Sequence, residues 1–407
     1  MKSSILALFL SLILATTLAH GATINVGTGE SIQAAVDTAS SGDTIVLTAP
    51  ADYEGNVTIE GKYLRIVSLH RNNHDIMGSI TISAIPAGQS VTFKNLSVSG
   101  PIISTDSSLN LLRCTLGNEV KATNSGNANT QLSVVQSVLS GKLHSTLTRT
   151  WVGYSDLRQS YFEGQVEIVG NIFNGNGYGG IGIDLNGSST VANVHNNVVR
   201  NFSGSYPSSV KEVCIGIRID SMASANIKNN HIENNKNLTH RANNHSGMGI
   251  FVKSTQSTLI SSNTLRDNFV GKGNPESKTG NSQIWAPSPN VKIMYNAIHN
   301  HSDNISPVRG GAYDLYSISD ISYNGHYFLT QPSHWMSGKA GQDAGSPKEI
   351  DNDHDGTRND IGANGGRNYI PNGRTTNKPI PISFTIAPQV VPIGGTVTIE
   401  STGATVK

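Results

Sequence analysis

Four charged side chains fall into register when three short phrases of this chain are laid over one another. The phrases are "GIGIDLNGS" (180–188), "CIGIRIDS" (214–221) and "GMGIFVKS" (247–254). Aligned on their glycine-isoleucine core, they put Asp184, Arg218 and Phe251 in one column and Asn186, Asp220 and Lys253 in the next. Two acids, one arginine and one lysine in so small a space can do recognisable chemistry. Arg218 can neutralise a carboxylate, and Lys253 can take or hold a proton. Asp184 and Asp220 can share a divalent cation, or act as a carboxylate pair of the kind that hydrolyses glycosidic bonds. Trp285 falls in the next phrase and, with Phe251, offers an aromatic face to a sugar. The insertion "NKNLTHRANNHSG" adds Arg241 and His245, the second as an alternative base. The competing reading is plain: these charges form an ion-pair ladder that keeps one face soluble.

The alignment is only as good as the elements that enforce it. "ANVHNNVVRN", "ANIKNNHIENN", "LISSNTLRDN" and "KIMYNAIHN" repeat one pattern, and Asn197, Asn230, Asn263 and Asn296 stand 33 residues apart in it. "IVGNIFNGN" and "ISYNGHYF" extend the series to Asn171 and Asn324. Upstream the pattern persists without the asparagine in "VVQSVLSG" and "LLRCTLGN", and "FKNLSVSG" offers Asn95. Apolar residues in these phrases lie two apart, which is strand and not helix periodicity. Units of two to three dozen residues are too short for a propeller blade of four strands. They suit a parallel β-helix, in which coils stack about 4.8 Å apart and an asparagine at one turn lies over the next. A ladder of side-chain amides then supplies partners to buried turn backbone.

The N-terminal third fits this architecture. "GTGESIQAAVDTASSGDTIVL" (27–47) predicts one amphipathic helix, with Ile32, Ala35, Val36 and Ala39 on one face, Ser31 as N-cap and Gly42 as a stop. Strands follow in "TIVLTA", "NVTIEG", "LRIVSLH", "SITIS" and "VTFKNLSVSG". A β-helix has an open end that invites edge-to-edge association, and this helix is placed to cover it. The capping "SIQAAVDTASSGDTIVL", the "YEGNVTIEGKYLRIVS" segment and the asparagine-bearing coils together resemble the right-handed parallel β-helix proteins of the pectin-lyase-like group. That resemblance covers most of residues 22–370. It implies an all-β, right-handed parallel β-helix solenoid with an N-terminal capping helix. It implies activity only broadly, because the group spans lyases, hydrolases, esterases and non-enzymes. No signature string of those enzymes is present here. A polysaccharide lyase acting on an acidic glycan is the expectation, with a glycoside hydrolase as the enzymatic alternative. A non-catalytic adhesin or glycan-binding surface protein is the alternative of a different class.

Composition and termini set the surroundings. Hydrophobic residues make up 36 % and charged residues only 14 %, so uncharged polar residues must build the surface. A formal net charge of +1 lacks the clustered basic excess of a nucleic-acid binder. "MKSSILALFLSLILATTLAHGA" has a positive start, a short apolar run and small residues before Ala22, the pattern of a secretory signal peptide over residues 1–21. No other stretch is apolar enough to span a membrane. A secreted or cell-surface monomer is therefore expected, with a polysaccharide or cell-surface glycan as partner. Cys114 and Cys214 fall several coils apart and are expected as separate buried thiols.

The acidic stretch "DAGSPKEIDNDHDGTRNDIGANGG" (343–366) alternates Asp351, Asp353 and Asp355 before Gly356, with Asp360 closing the run. This is half of a calcium loop, hard oxygens followed by a sharp turn. Gly362 stands where a bidentate glutamate would complete it, so it is not an EF-hand. Calcium or an aspartate-rich turn without metal are both open. The stretch also resembles a segment that ends many exported bacterial β-helix proteins. Residues 371–407 read as a linker and two strands, like the start of an immunoglobulin-like sandwich that would need about 100 residues.

Overall fold

The computed structural model describes residues 21–70, 75–126, 129–206, 212–238, 247–270, 283–286, 288–299 and shorter pieces beyond, chiefly 308–309, 320–322, 325–326, 343–345, 347–349, 352–353, 356–366 and the strands of 380–387 and 398–404. The chain winds as a parallel β-helix. One coil illustrates the path. Ile181–Leu185 lies in a first wall, Val191–His195 in a second and Val198–Arg200 in a third, and Ser203–Gly204 leads towards the next coil. Each wall pairs in parallel with the same wall of the coils on either side. The second wall is a 13-stranded sheet that runs from Thr23–Val26 to Asp320–Ser322. The first and third walls join into a 20-stranded sheet, because Val138–Ser145 and Asp156–Phe162 run unbroken from one wall to the other.

Alternation builds the core. Ile183, Ile217, Ile250 and Ile284 form one inward column, and Val194, Ile227, Ile260 and Ile293 form another, all fully buried. At the open end the helix Ile32–Thr38 buries Ile32, Ala35 and Val36, and the Ser31 hydroxyl accepts from the Ala34 N–H at 3.2 Å. Ala39 caps the helix, so it stops short of Gly42, which occupies the next turn at φ 95°.

The turn between the second and third walls explains the repeated phrase. Its first residue is left-handed in coil after coil: Asn95, Arg113, Gln136, Tyr154, Asn196, Asn229, Ser262 and Tyr295 all have φ between 49° and 58°. Its second residue points inward. In Asn171, Asn197, Asn230, Asn263 and Asn296 the side-chain oxygen accepts from the backbone N–H of the preceding coil's slot, and from its amide where that residue is also asparagine. Upstream the slot holds hydroxyls: Ser155 Oγ accepts from the Ser137 N–H, and Ser137 Oγ from the Cys114 N–H. One sequence-based assignment needs correction. Register pairs Thr115 with Ser97, so Leu96 occupies the inward slot of its coil and Asn95 is the left-handed residue before it. Asn324 lies outside the described residues.

A second stack went unseen in the sequence. The Phe202 N–H donates to Asn235 Oδ1 at 3.2 Å, and the Asn235 N–H donates to Asn268 Oδ1 at 3.1 Å. It begins the third turn, where Asn201, Asn234 and Asp267 are again left-handed. Cys114 and Cys214 are both buried free thiols, which burial pushes up to about 11 and about 12.

The acidic stretch folds back on the coils. The Asn229 amide donates to the Ala363 and Gly365 carbonyls, and the Gly362 N–H donates to the Tyr295 carbonyl at 2.8 Å. Residues 359–366 therefore strap three turns together. Ile380–Ala387 and Thr398–Ala404 pair as an antiparallel hairpin. Residues 1–20, which hold nearly all of the expected signal peptide, lie outside the described residues. No helix among the described residues is long and apolar enough to cross a membrane.

Candidate functional site

The outer face of the first wall carries one continuous column. Register aligns Lys121, His144, Tyr161, Asp184, Arg218, Phe251 and Trp285 across seven coils. The expected column of Asp184, Arg218 and Phe251 is thus real, and Trp285 extends it. Its two halves differ in what their side chains are free to do.

In the downstream half the charges consume one another. Arg218 donates twice to Asp184, at 2.9 and 2.7 Å, and once to Glu212 at 2.6 Å. It also lies 3.8 Å from Asp220. Lys253 Nζ donates to Glu212 at 3.0 Å and to Asp220 at 3.3 Å. Burial opposes the charge on Arg218, but Asp184 and Glu212 outweigh it and raise its pKa. Burial also pulls on Lys253, and Glu212 and Asp220 more than offset that pull, so its pKa is raised and it stays an ammonium. A raised lysine is a poor base. Burial lifts the Asp184 carboxyl, with Arg218 partly restoring it. The position between Asp184 and Asp220 proposed for calcium, or for the gap of a carboxylate pair, is filled by the Arg218 guanidinium. The competing reading from the sequence, a cross-coil ion-pair network, describes this half.

Phe251 also needs correction as a sugar-stacking platform, because it is fully buried. The cause lies in the I-G-I and M-G-I phrases. A Cβ on Gly182, Gly216 or Gly249 would stand 2.6–2.8 Å from a neighbouring coil's carbonyl. Only glycine fits there, and the strand turns so that Ile181, Ile215 and Met248 leave the main core. They form a separate apolar cluster with Phe251 and Trp285, whose rings lie 4.7 Å apart. Trp285 keeps partial exposure. Arg241 and His245 lie outside the described residues.

The upstream half was missed. His144 and Tyr161 stack with ring centroids 4.6 Å apart, and Lys142 Nζ stands 5.7 Å from the Tyr161 ring centre. Tyr161 donates its hydroxyl proton to Glu163. Burial and that hydrogen bond raise the Tyr161 pKa. Partial burial lowers the His144 pKa, helped by the charges of Lys142 and Lys121. Neither ring nitrogen of His144 has a hydrogen-bond partner among the described residues, so a neutral imidazole stands available beside two exposed lysines. The signal in the sequence was K-x-H in "GKLHS" and Q-x-Y in "RQSYF", which alternate as outward positions must. Unequal coil lengths and a register shift between Leu139 and Lys142 hid their alignment.

The acidic turn behaves as a hydrogen-bonded clip where it is described. Asp353 accepts from the Asp360 N–H at 3.2 Å and from the Gly366 N–H, and Asp360 accepts from the Asp343 N–H at 2.8 Å. Asp351 and Asp355 lie outside the described residues. Among the described residues no group of three or more His, Cys, Asp or Glu side chains is disposed to hold a metal. The other single histidines are structural: His195 Nε2 lies 2.6 Å from Glu167, and His231 sits against Asn364 of the strap. The His299 side chain lies outside the described residues.

No family model matches this sequence, and no curated protein matches it. Among solved structures the chain is similar to the PL6 family alginate lyase AlyGC, at 14 % identity and a TM-score of 0.35. The match covers 76 % of this chain and 54 % of that one, so it spans about half of the lyase's length. The assignment of the fold rests on this chain's own sheets.

Proposed function

We propose that this is an exported β-helix protein of the pectin-lyase-like kind that cleaves an acidic polysaccharide by β-elimination along the upstream half of the first wall. One observation carries the reading: a neutral His144, with no hydrogen-bond partner among the described residues, stacked on a protonated Tyr161 and flanked by Lys121 and Lys142. Elimination from a 4-linked uronate removes the proton on C5, forms the C4–C5 double bond and breaks the C4–O bond to the next sugar. The carboxylate that acidifies C5 needs cations beside it, and Lys121 and Lys142 supply them. His144 takes the C5 proton, and Tyr161, held by Glu163, delivers a proton to the departing oxygen. Asp184 and Arg218 border this stripe and support it, while Lys253 and Asp220 belong to the network behind them. Trp285 lies further along the same face. We propose the acidic turn of Asp351, Asp353, Asp355 and Asp360 for any calcium, on the alternating spacing of its carboxylates, because Arg218 already lies between Asp184 and Asp220. Export is supported by Lys2 and the apolar run that follows it.

The test is direct. The chain without residues 1–21 is incubated with alginate, pectate and glycosaminoglycans, with and without calcium, and ultraviolet absorbance reports unsaturated product. A rise on one acidic polymer and none on neutral ones is expected. No rise on any of them overturns the lyase reading. Binding without turnover on a glycan array would then favour a non-catalytic glycan-binding protein, a reading suited to the mutually neutralised charges around Arg218.

A further inference from the structure

The third wall carries a second groove, of about 370 Å³, lined in part by the upstream ends of the same two strands that bear His144 and Tyr161. It is lined by Val138, Leu139 and Ile172 together with Arg158, Arg200 and Tyr178. That volume is within the range of small-molecule sites.

Among the described residues neither arginine has an ion-pair partner. Arg200 sits in register between Asn174 and Glu233. Glu233 is engaged by Arg266 at 2.8 and 2.6 Å instead. The Arg200 Nε is buried with no hydrogen-bond partner among the described residues. Arg158 lies with its guanidinium 3.9 Å from the centre of the Tyr178 ring. A buried, unpaired guanidinium N–H is unfavourable unless a ligand completes it.

The loop "NGNGYGG" (174–180) holds Tyr178 in place. Gly177 at φ 81° and Asn176 at φ 50° make the bend. The Gly177 N–H donates to the Asn201 carbonyl at 3.0 Å, and the Tyr206 hydroxyl accepts from the Gly179 N–H at 2.8 Å. Tyr178 is nonetheless 59 % exposed, with Arg158 over its ring.

The geometry points to a binding site for a carboxylate-bearing saccharide on this wall. A guanidinium fork matches a carboxylate, and an exposed tyrosine ring beside apolar lining residues suits the C–H face of a sugar ring. Asp156 lines the same groove. A sugar acid offers an anion to the arginines and a ring face to the tyrosine. The site shares two strands with the His144 stripe but no residue, so it does not rest on the elimination reading.

Calorimetric titration of the full chain carrying His144→Ala, which disables the other site, tests this with digalacturonate, cellobiose and a sulfated disaccharide. The acidic disaccharide is expected to bind and the neutral one to bind much more weakly. Arg200→Gln and, separately, Tyr178→Ala should each weaken digalacturonate binding about tenfold or more, the scale of one lost charged hydrogen bond. Tyr178 is exposed, so its variant keeps the test valid if the arginine variant folds poorly. Unchanged affinity in both variants overturns the proposal, as does equal binding of cellobiose. Preference for the sulfated disaccharide overturns the carboxylate class. Binding of digalacturonate without any polysaccharide cleavage by the unmutated chain leaves this site standing and removes only the lyase reading.

Discussion

The coils from Asn171 to Asn296 and the coils from Leu96 to Phe162 meet the same folding demand with different side chains. Both must satisfy a buried N–H at an inward turn. The downstream coils do so with asparagine, which accepts from the coil before and donates to carbonyls around it. The upstream coils use Ser137 and Ser155, whose hydroxyls accept one backbone N–H each and donate to one carbonyl. The outer faces differ in the opposite sense. Downstream, Asp184, Glu212, Arg218, Asp220 and Lys253 neutralise one another. Upstream, Lys121 and Lys142 are exposed, the His144 ring has no hydrogen-bond partner among the described residues, and Tyr161 donates to Glu163. Regularity of sequence therefore marks the scaffold, and the proposed chemistry sits where the repeat is least visible.

The largest effect that would sharpen this contrast comes from Asn230→Ala. It strips the acceptor from the Asn197 N–H and amide, and should cost on the order of 3–5 kcal/mol in a denaturant melt. Ser137→Ala, in the equivalent slot upstream, removes one acceptor and should cost about 1–2 kcal/mol. Equal costs would break the distinction between the two stacks.

Phe251→Ala comes next, at about 3 kcal/mol by the same melt, because it empties the buried outer cluster. A neutral result would return Phe251 to the list of exposed contacts.

Acid sensitivity should be smaller and should arise upstream. His144 has a folded pKa below the ordinary 6.5. Its contribution to stability is therefore present above pH 6.5 and lost as pH falls through the lowered value. Melts of the unmutated chain and of His144→Gln should diverge over that range and agree above it. In activity, the acidic limb of kcat/KM should lie below pH 6.5.

The smallest effect is expected at Lys253. It is 38 % exposed in its pairs, so Lys253→Met should change stability by less than about 1 kcal/mol.

Much of the fold was legible because the asparagines must recur in one hydrogen-bonding slot, and a period of 33 residues places Asp184, Arg218, Asp220 and Lys253 side by side. The upstream coils were harder to read, since successive slots there lie 23, 18 and 16 residues apart and hold Cys, Ser and Asn. Glu212 was invisible as the partner of both cations because it comes from a variable loop, held at φ 56°. The burial of Phe251 was hidden for a related reason: outward parity along a strand does not report what covers it. Leu96 and Asn95 were confused because the left-handed residue and the inward residue are adjacent, and asparagine suits either.

The central claim is that chemistry belongs to the His144 stripe and not to the Lys253 network. Initial rates of unsaturated-product formation on the preferred acidic polysaccharide, for His144→Ala and Lys253→Met side by side, test it most directly. The account predicts a loss of about 10²–10⁴-fold for His144→Ala, the usual scale of a missing general base, and a near-normal rate for Lys253→Met. A full rate in His144→Ala with activity abolished in Lys253→Met would contradict it.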